Sequence, residues 1–215
     1  MISDVLKFPF KGTGKYILII GAILSLILSF ASYIPFLGIF IAIGASGYFA
    51  AYFFAIINST ASGKDEACDW PDFRDFWSDL VGPWLLMLSA MFFSFAPSVI
   101  LILIFEPSDM VRTGLLALGF IHLPMAILRV AIFNTMGSAF WLNTFPVIMN
   151  CLSQYFILLL ITGALIVINM IIDGIISSIP ILGWFLGFFL WMYSLMVGGR
   201  VLGLFYRDNR RILTI

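Results

Sequence analysis

The sequence predicts an all-α, polytopic membrane helix bundle with about six transmembrane helices, and three observations carry that prediction. Hydrophobic residues make up 62% of the 215 residues and charged residues only 10%, with a mean hydropathy of +1.12. Soluble domains hold roughly 45–50% apolar and about 25% charged residues, so a soluble fold of this length lacks the polar surface to cover this chain. The apolar residues fall in runs of about twenty, the length of a helix that crosses the hydrocarbon. Basic residues, finally, gather in alternate connections.

The expected spans are 16–34, 36–57, 82–105, 113–133, 154–176 and 180–205. The start faintly resembles a signal peptide, but the apolar run outlasts a roughly 7–15-residue signal core and no A-x-A site follows, so it reads as the first span. Span four is the most polar, with His122, Pro124 and Arg129. The stretch 134–153 carries Asn134, Asn143 and Asn150 beside Trp141, Phe145 and Pro146, and reads as an interfacial or re-entrant piece. The chain is expected to be one membrane domain, 1–215. Its interfacial parts are an N-terminal segment, 1–15, a cytoplasmic amphipathic loop, 58–81, and a cytoplasmic tail, 206–215.

Short loops rich in lysine and arginine stay cytoplasmic. With six spans, one side carries Lys7, Lys11, Lys15, Lys64, Arg74, Arg200, Arg207, Arg210 and Arg211, nine of the 11 basic residues. Arg112 falls on the other side and Arg129 inside a span. An odd number of spans would split the cluster, so both termini are expected in the cytoplasm.

An internal repeat is visible. Ile34-Pro35-Phe36-Leu37-Gly38-Ile39-Phe40 matches Ile179-Pro180-Ile181-Leu182-Gly183-Trp184-Phe185 at five of seven positions, offset by 145. Ser32/Ser177 and Tyr48/Tyr193 match at the same offset. Proline ends one helix and suits the first turn of the next, so each motif predicts a tight hairpin. Hairpins 16–57 and 154–205 would be parallel repeats flanking a middle pair, an arrangement some transporters use. Small residues spaced by four, namely Gly47 with Ala51 and Ala55, Gly183/Gly187 and Gly199/Gly203, mark helix-packing faces. Such faces serve packing within the chain or homo-oligomerisation.

In the loop after span two, Phe73, Phe76, Trp77 and Leu80 fall at i, i+3, i+4, i+7, while Asp72, Asp75 and Asp79 lie on an adjacent face. With Trp70, this predicts an interfacial amphipathic helix with aromatics at headgroup depth. The six acids between Asp65 and Asp79 could attract a cation or a basic partner, but they lack the glycine and closing glutamate of a Ca²⁺ loop, so they read as a solvated face. The N-terminal segment, with Val5, Leu6, Phe8, Phe10 and three lysines, reads as a basic interfacial anchor.

Ionisable residues within spans are costly and mark candidate sites. His122 could carry protons, line a pore or bond a neighbouring helix. Arg129 lies near the cytoplasmic end of its span, where it could snorkel or form an ion pair. Asp173 could reach outer water or pair with Arg112. Asn169 and Thr162 suit hydrogen bonds between helices, and Arg200 suits an interfacial anchor.

Catalytic patterns are missing from the sequence: it has no H-E-x-x-H, no G-x-S-x-G and no P-loop. One histidine excludes sites built on histidine pairs, and Cys68 and Cys151 have no metal or redox spacing. The chain is expected not to be an enzyme and to need no metal or other cofactor. With zero net charge, nucleic acid is not an expected partner. The expected partners are the lipid bilayer, a further copy of the chain or another membrane protein.

Several segments together resemble a loose family of bacterial multi-span membrane proteins carrying a domain of unknown function, broadly Yip-like in layout. They are Phe8-Pro9-Phe10-Lys11-Gly12, the loop from Gly63 to Trp70-Pro71-Asp72-Phe73, and Leu123-Pro124-Met125-Ala126-Ile127-Leu128. Asn143-Thr144-Phe145-Pro146-Val147 ahead of Tyr155, and Gly203-Leu204-Phe205-Tyr206-Arg207, complete the pattern. The resemblance implies a helical bundle in a bacterial inner membrane and supplies no activity. The even span count departs from Yip proteins, so their trafficking role is not implied. The function expected is a non-catalytic scaffold or accessory subunit; the alternative is a small-solute or ion transporter or channel.

Overall fold

A computed structural model describes residues 2–71, 74–176, 178–179 and 182–213, with no strand among them. The helices are α1 (Ile2–Lys7), α2 (Gly14–Ala31), α3 (Leu37–Ala61), α4 (Gly82–Phe105), α5 (Asp109–Phe133), α6 (Trp141–Asn150), α7 (Leu152–Ile176), α8 (Leu182–Asp208) and α9 (Arg210–Leu213). Six of them, α2, α3, α4 with the turn before it, α5, α7 and α8, are long and apolar enough to cross a membrane. They coincide with the expected spans to within a few residues at each end.

The two hairpins share their turn geometry. Tyr33, Ile34 and Gly38 donate backbone N–H groups to Phe30, Ala31 and Ile34. At offset 145, Ser178, Ile179 and Gly183 donate to Ile175, Ile176 and Ile179. Gly38 is required here: a Cβ at that position would lie 1.9 Å from the Ser32 carbonyl oxygen. The matching Ser177, Pro180 and Ile181 lie outside the described residues.

The middle pair does not separate the hairpins, as the sequence suggested. α2 and α3 pack directly on α8. A Cβ on Gly21 would touch Met192, one on Gly199 would touch Ile56, and one on Gly203 would touch Ile57 and Thr60. Glycines allow this because helices close until backbone meets side chain, leaving no room for a pair between them. The rising order of the last contacts makes α3 and α8 parallel. Phe30 against Trp184, 5.7 Å between rings, makes α2 antiparallel to α8.

α4 and α5 form their own hairpin, through Phe95 against Phe120 and Ser98 Oγ donating to Leu115 O at 2.6 Å. α5 then passes across the ends of three helices. Ile121 O accepts the Tyr155 hydroxyl of α7, Ala131 O accepts the Asn58 amide of α3 at 3.0 Å, and Phe133 lies near Tyr206 of α8 and Leu213 of α9. The tail and the end of α5 therefore meet at the same end of α3 that approaches the N-terminal segment.

The interfacial elements differ from expectation. Asp72 and Phe73 lie outside the described residues. Trp70 is not helical and packs on Tyr52 and Tyr48 of α3, with ring centres 4.6 and 5.6 Å away. Phe76 begins a helical turn that runs through a π-helical segment, Trp77–Val81, straight into α4. No separate amphipathic helix forms among the described residues of this loop. The reason is local. The Asp79 carboxylate accepts the backbone N–H groups of Arg74 and Asp75, both at 2.9 Å, and Asp75 Oδ1 accepts that of Trp77 at 3.0 Å. Two of the acids thus bind backbone N–H groups of the segment that leads into α4, a use that periodicity alone does not reveal. The N-terminal segment also differs: Val5 and Phe8 are buried in the protein, so it docks on the bundle.

Candidate functional site

Two polar nodes organise the bundle. The first is built on α8, where Arg200 is 1% exposed. Its Nη1 donates to Lys64 O at 2.6 Å and Thr60 Oγ1 at 3.4 Å. Its Nη2 donates to Asp65 Oδ1 at 2.6 Å and Asp4 Oδ2 at 3.5 Å. The guanidinium also sits 5.0 Å from the Phe8 ring. Among the described residues Nε has no acceptor. One cation therefore joins α8, the end of α3, the following loop and α1.

The electrostatics fit this geometry. Lys11, which bonds the same carboxylate, and then Arg200 hold the Asp4 carboxyl below its ordinary range. Arg200 does the same to Asp65. The sequence suggests an interfacial anchor at Arg200; burial overturns this. Its place between Gly199 and Gly203 is the available signal, because glycines that bring α8 against α3 also carry the intervening arginine inward.

The second node is His122 on α5, which is fully buried. Nδ1 lies 2.8 Å from Ser94 Oγ of α4 and Nε2 lies 2.6 Å from Thr144 Oγ1 of α6. The ring stacks on Trp141, 4.0 Å between centres. Ser94 also reaches Ala90 O at 2.7 Å, and Thr144 reaches Phe140 O at 3.2 Å. A neutral imidazole has one N–H and one lone pair. One hydroxyl then gives its proton to the ring and the other gives its own to a carbonyl, so every polar atom is satisfied.

Pro97 completes this node. Lacking an N–H, it leaves the carbonyl four residues earlier without its helical donor. That carbonyl, Phe93 O, accepts the Trp141 indole N–H at 2.6 Å. α6 is thereby fixed to α4 and α5 at three points. Its ten residues are too few to cross a bilayer.

The remaining candidates are dispersed. Arg129 Nε donates to Ser138 O at 3.2 Å and its guanidinium lies 4.8 Å from the Phe133 ring. It forms no ion pair among the described residues. Asn169 ties α7 to α8: Ser194 Oγ donates to its Oδ1 at 2.6 Å. Thr162 bonds back to Leu158 O within its own helix, at 2.9 Å. Arg112 pairs with Asp109 at 3.5 Å, not with Asp173. Gly187 is not tightly packed: a Cβ there would have Asp173 Oδ1 as its nearest neighbour, at 3.6 Å. Gly183 is buried at the start of α8.

A cavity of about 430 Å³ lies between α7 and α8 with Val5 and Leu6 of α1 at its edge. Neither His122 nor Arg129 lines it. Cys151 is 1% exposed, and Cys68 is half-buried, where burial pushes its thiol up to about 11. The native cysteines should therefore resist maleimide at neutral pH from either side of the membrane, because little thiolate is present. Orientation is better read with Ser62→Cys and Asp109→Cys in a cysteine-free chain. The first should label only after permeabilisation and the second from outside; the reverse pattern would overturn the six-span orientation.

No family model, no curated protein and no solved structure matches this chain.

Proposed function

We propose that this integral membrane protein is a non-catalytic scaffold or accessory subunit of a membrane complex, set in a bacterial inner membrane with both termini in the cytoplasm. The observation that carries the reading is the closure of the His122 node. Both ring nitrogens are bonded, the residue is fully buried, and it does not line the cavity between α7 and α8. Polar side chains on a solute path must face a wet cavity; here they hold helices together. Support also comes from α7, whose exposed Phe156, Leu160, Ile166, Met170 and Ile175 offer an apolar face for a membrane partner. The orientation rests on the cluster of nine basic residues counted in the sequence.

The test is purification in mild detergent, followed by reconstitution. Recovery of a stoichiometric membrane-protein partner is expected, with no solute flux from the purified chain in liposomes. Recovery of the chain alone, moving a solute in a way that His122→Ala abolishes, would instead establish the transporter reading.

A further inference from the structure

The cavity between α7 and α8 has a polarity gradient. On α7, Ile157, Ile161 and Ala164 line it, spaced three or four apart on one helical face. On α8, Val201 and Leu204 form the facing wall, and Leu6 of α1 closes an edge. Polar side chains line it only at the end where α7 begins and α8 finishes: Gln154, Asp208 and Asn209. Along α7 the lining runs from Gln154 to Ile168, about 21 Å at 1.5 Å per residue. One leaflet of a roughly 30 Å hydrocarbon core is shorter than that, so the cleft can take one acyl chain along its length.

Charge selects the headgroup. Residues 207–211 read Arg-Asp-Asn-Arg-Arg, three positive charges and one negative, a net of +2 at the polar end. Asp208 is partly neutralised by Arg207, 3.6 Å away. Arg207 and Arg211 are exposed. Arginine side chains are complementary to a phosphodiester; Arg207 and Arg211 flank in sequence the lining residues Asp208 and Asn209, and Gln154 and Asn209 add neutral donors to the polar end.

We propose that this cleft is a binding site for one anionic phospholipid, with an acyl chain between α7 and α8 and its phosphate at Arg207 and Arg211. The N-terminal helix is part of the site, since the Leu6 carbonyl accepts the Tyr193 hydroxyl at 3.0 Å while the Leu6 side chain lines the cleft. Phospholipid occupancy would make the local membrane composition a determinant of how α1 sits on α8.

The experiment is native mass spectrometry of the full chain in detergent, with phosphatidylglycerol, phosphatidylcholine or inorganic phosphate added separately. The wild type should retain one phosphatidylglycerol in preference to phosphatidylcholine, and inorganic phosphate should not displace it. Ala164→Phe and Val201→Phe, which fill the cleft from opposite walls, should each lower retention about tenfold. The pair Arg207→Gln with Arg211→Gln should remove the preference between the lipids but keep chain binding. A phosphatidylglycerol carrying a photoreactive tail should crosslink to residues 154–168 and 197–209 of the wild type, a measurement independent of whether a variant folds. Crosslinks confined to other helices would overturn the proposal. So would unchanged retention in both cleft variants, displacement by inorganic phosphate, or a second copy of the chain occupying the cleft.

Discussion

Replacing Gly203 with leucine is expected to break the seam between α8 and α3 and to lower the melting temperature more than any other single substitution at the glycine positions of α7 or α8. A Cβ at this position would lie 2.5 Å from Thr60 Cβ and 2.8 Å from the Ile57 carbonyl oxygen. The carbonyl belongs to a helix backbone and cannot rotate away. Even alanine should cost about 1–3 kcal/mol, the usual range for overpacking a close-fitted site, and leucine must push the helices apart. Gly47 behaves alike on α3, with the Leu80 carbonyl oxygen 2.2 Å from its Cβ position, so Gly47→Ala should displace the start of α4. Gly163→Ala on α7 meets nothing within 4 Å and should be neutral or gain up to about 1 kcal/mol from helix propensity. Gly187→Ala should also be tolerated. Thermal melting followed by gel filtration in detergent ranks these variants. A Gly203→Leu protein that melts with the wild type would show that the α3–α8 seam is not closed as described.

This ranking separates what is legible in the sequence from what is not. Long apolar runs and alternate basic loops place six spans within a few residues of the helices, because bilayer thickness constrains length strongly. The repeated I-P-x-L-G-x-F turns are legible for a similar reason: proline and glycine restrict backbone geometry locally. Packing partners are not. Gly187 and Gly203 occupy equivalent places in two identical G-x-x-x-G patterns, yet only Gly203 faces a close neighbour. The spacing identifies a face but not what lies against it.

The candidate site shows the same division. His122 stands out as the lone histidine within a span, and hydrogen bonding to neighbouring helices is one of its expected uses. Its partners, Ser94 and Thr144, are ordinary residues 28 and 22 positions away, which no local pattern connects. Pro97 is a readable hint, since proline in a span leaves a carbonyl that needs a donor. Arg200 misleads because its position near a helix end looks interfacial, whereas docking of the N-terminal segment covers it. Asp75 and Asp79, part of a solvated face by composition, are recruited by backbone N–H groups in a loop whose course periodicity does not encode.

Removal of Arg200 is the second large effect expected. Arg200→Gln deletes the cation that joins Asp4, Asp65, the Lys64 carbonyl and Thr60. The loss should reach about 2–4 kcal/mol, as for truncating one partner of a buried, charge-assisted network. Asp4 and Asp65 are exposed enough to regain water, so the cost should fall on the docking of α1 rather than on the whole bundle. Hydrogen exchange at residues 3–10 should accelerate strongly, with α3 and α8 less affected. Arg200→Lys should rescue poorly, because one ammonium cannot span four acceptors on three segments. The pH dependence follows from the carboxylates. Both have folded-state pKa values below the ordinary 3.8, so their contribution is complete above that value and is lost as pH falls through the lowered one. Wild-type protection of α1 should therefore stay level from pH 7 to about 4 and decline in stronger acid, while the glutamine variant should lack most of it throughout. Protection in Arg200→Gln equal to that of the wild type would mean that Phe8 and Val5 hold α1 by apolar burial alone, and that the ion pairs at Arg200 contribute nothing to its docking.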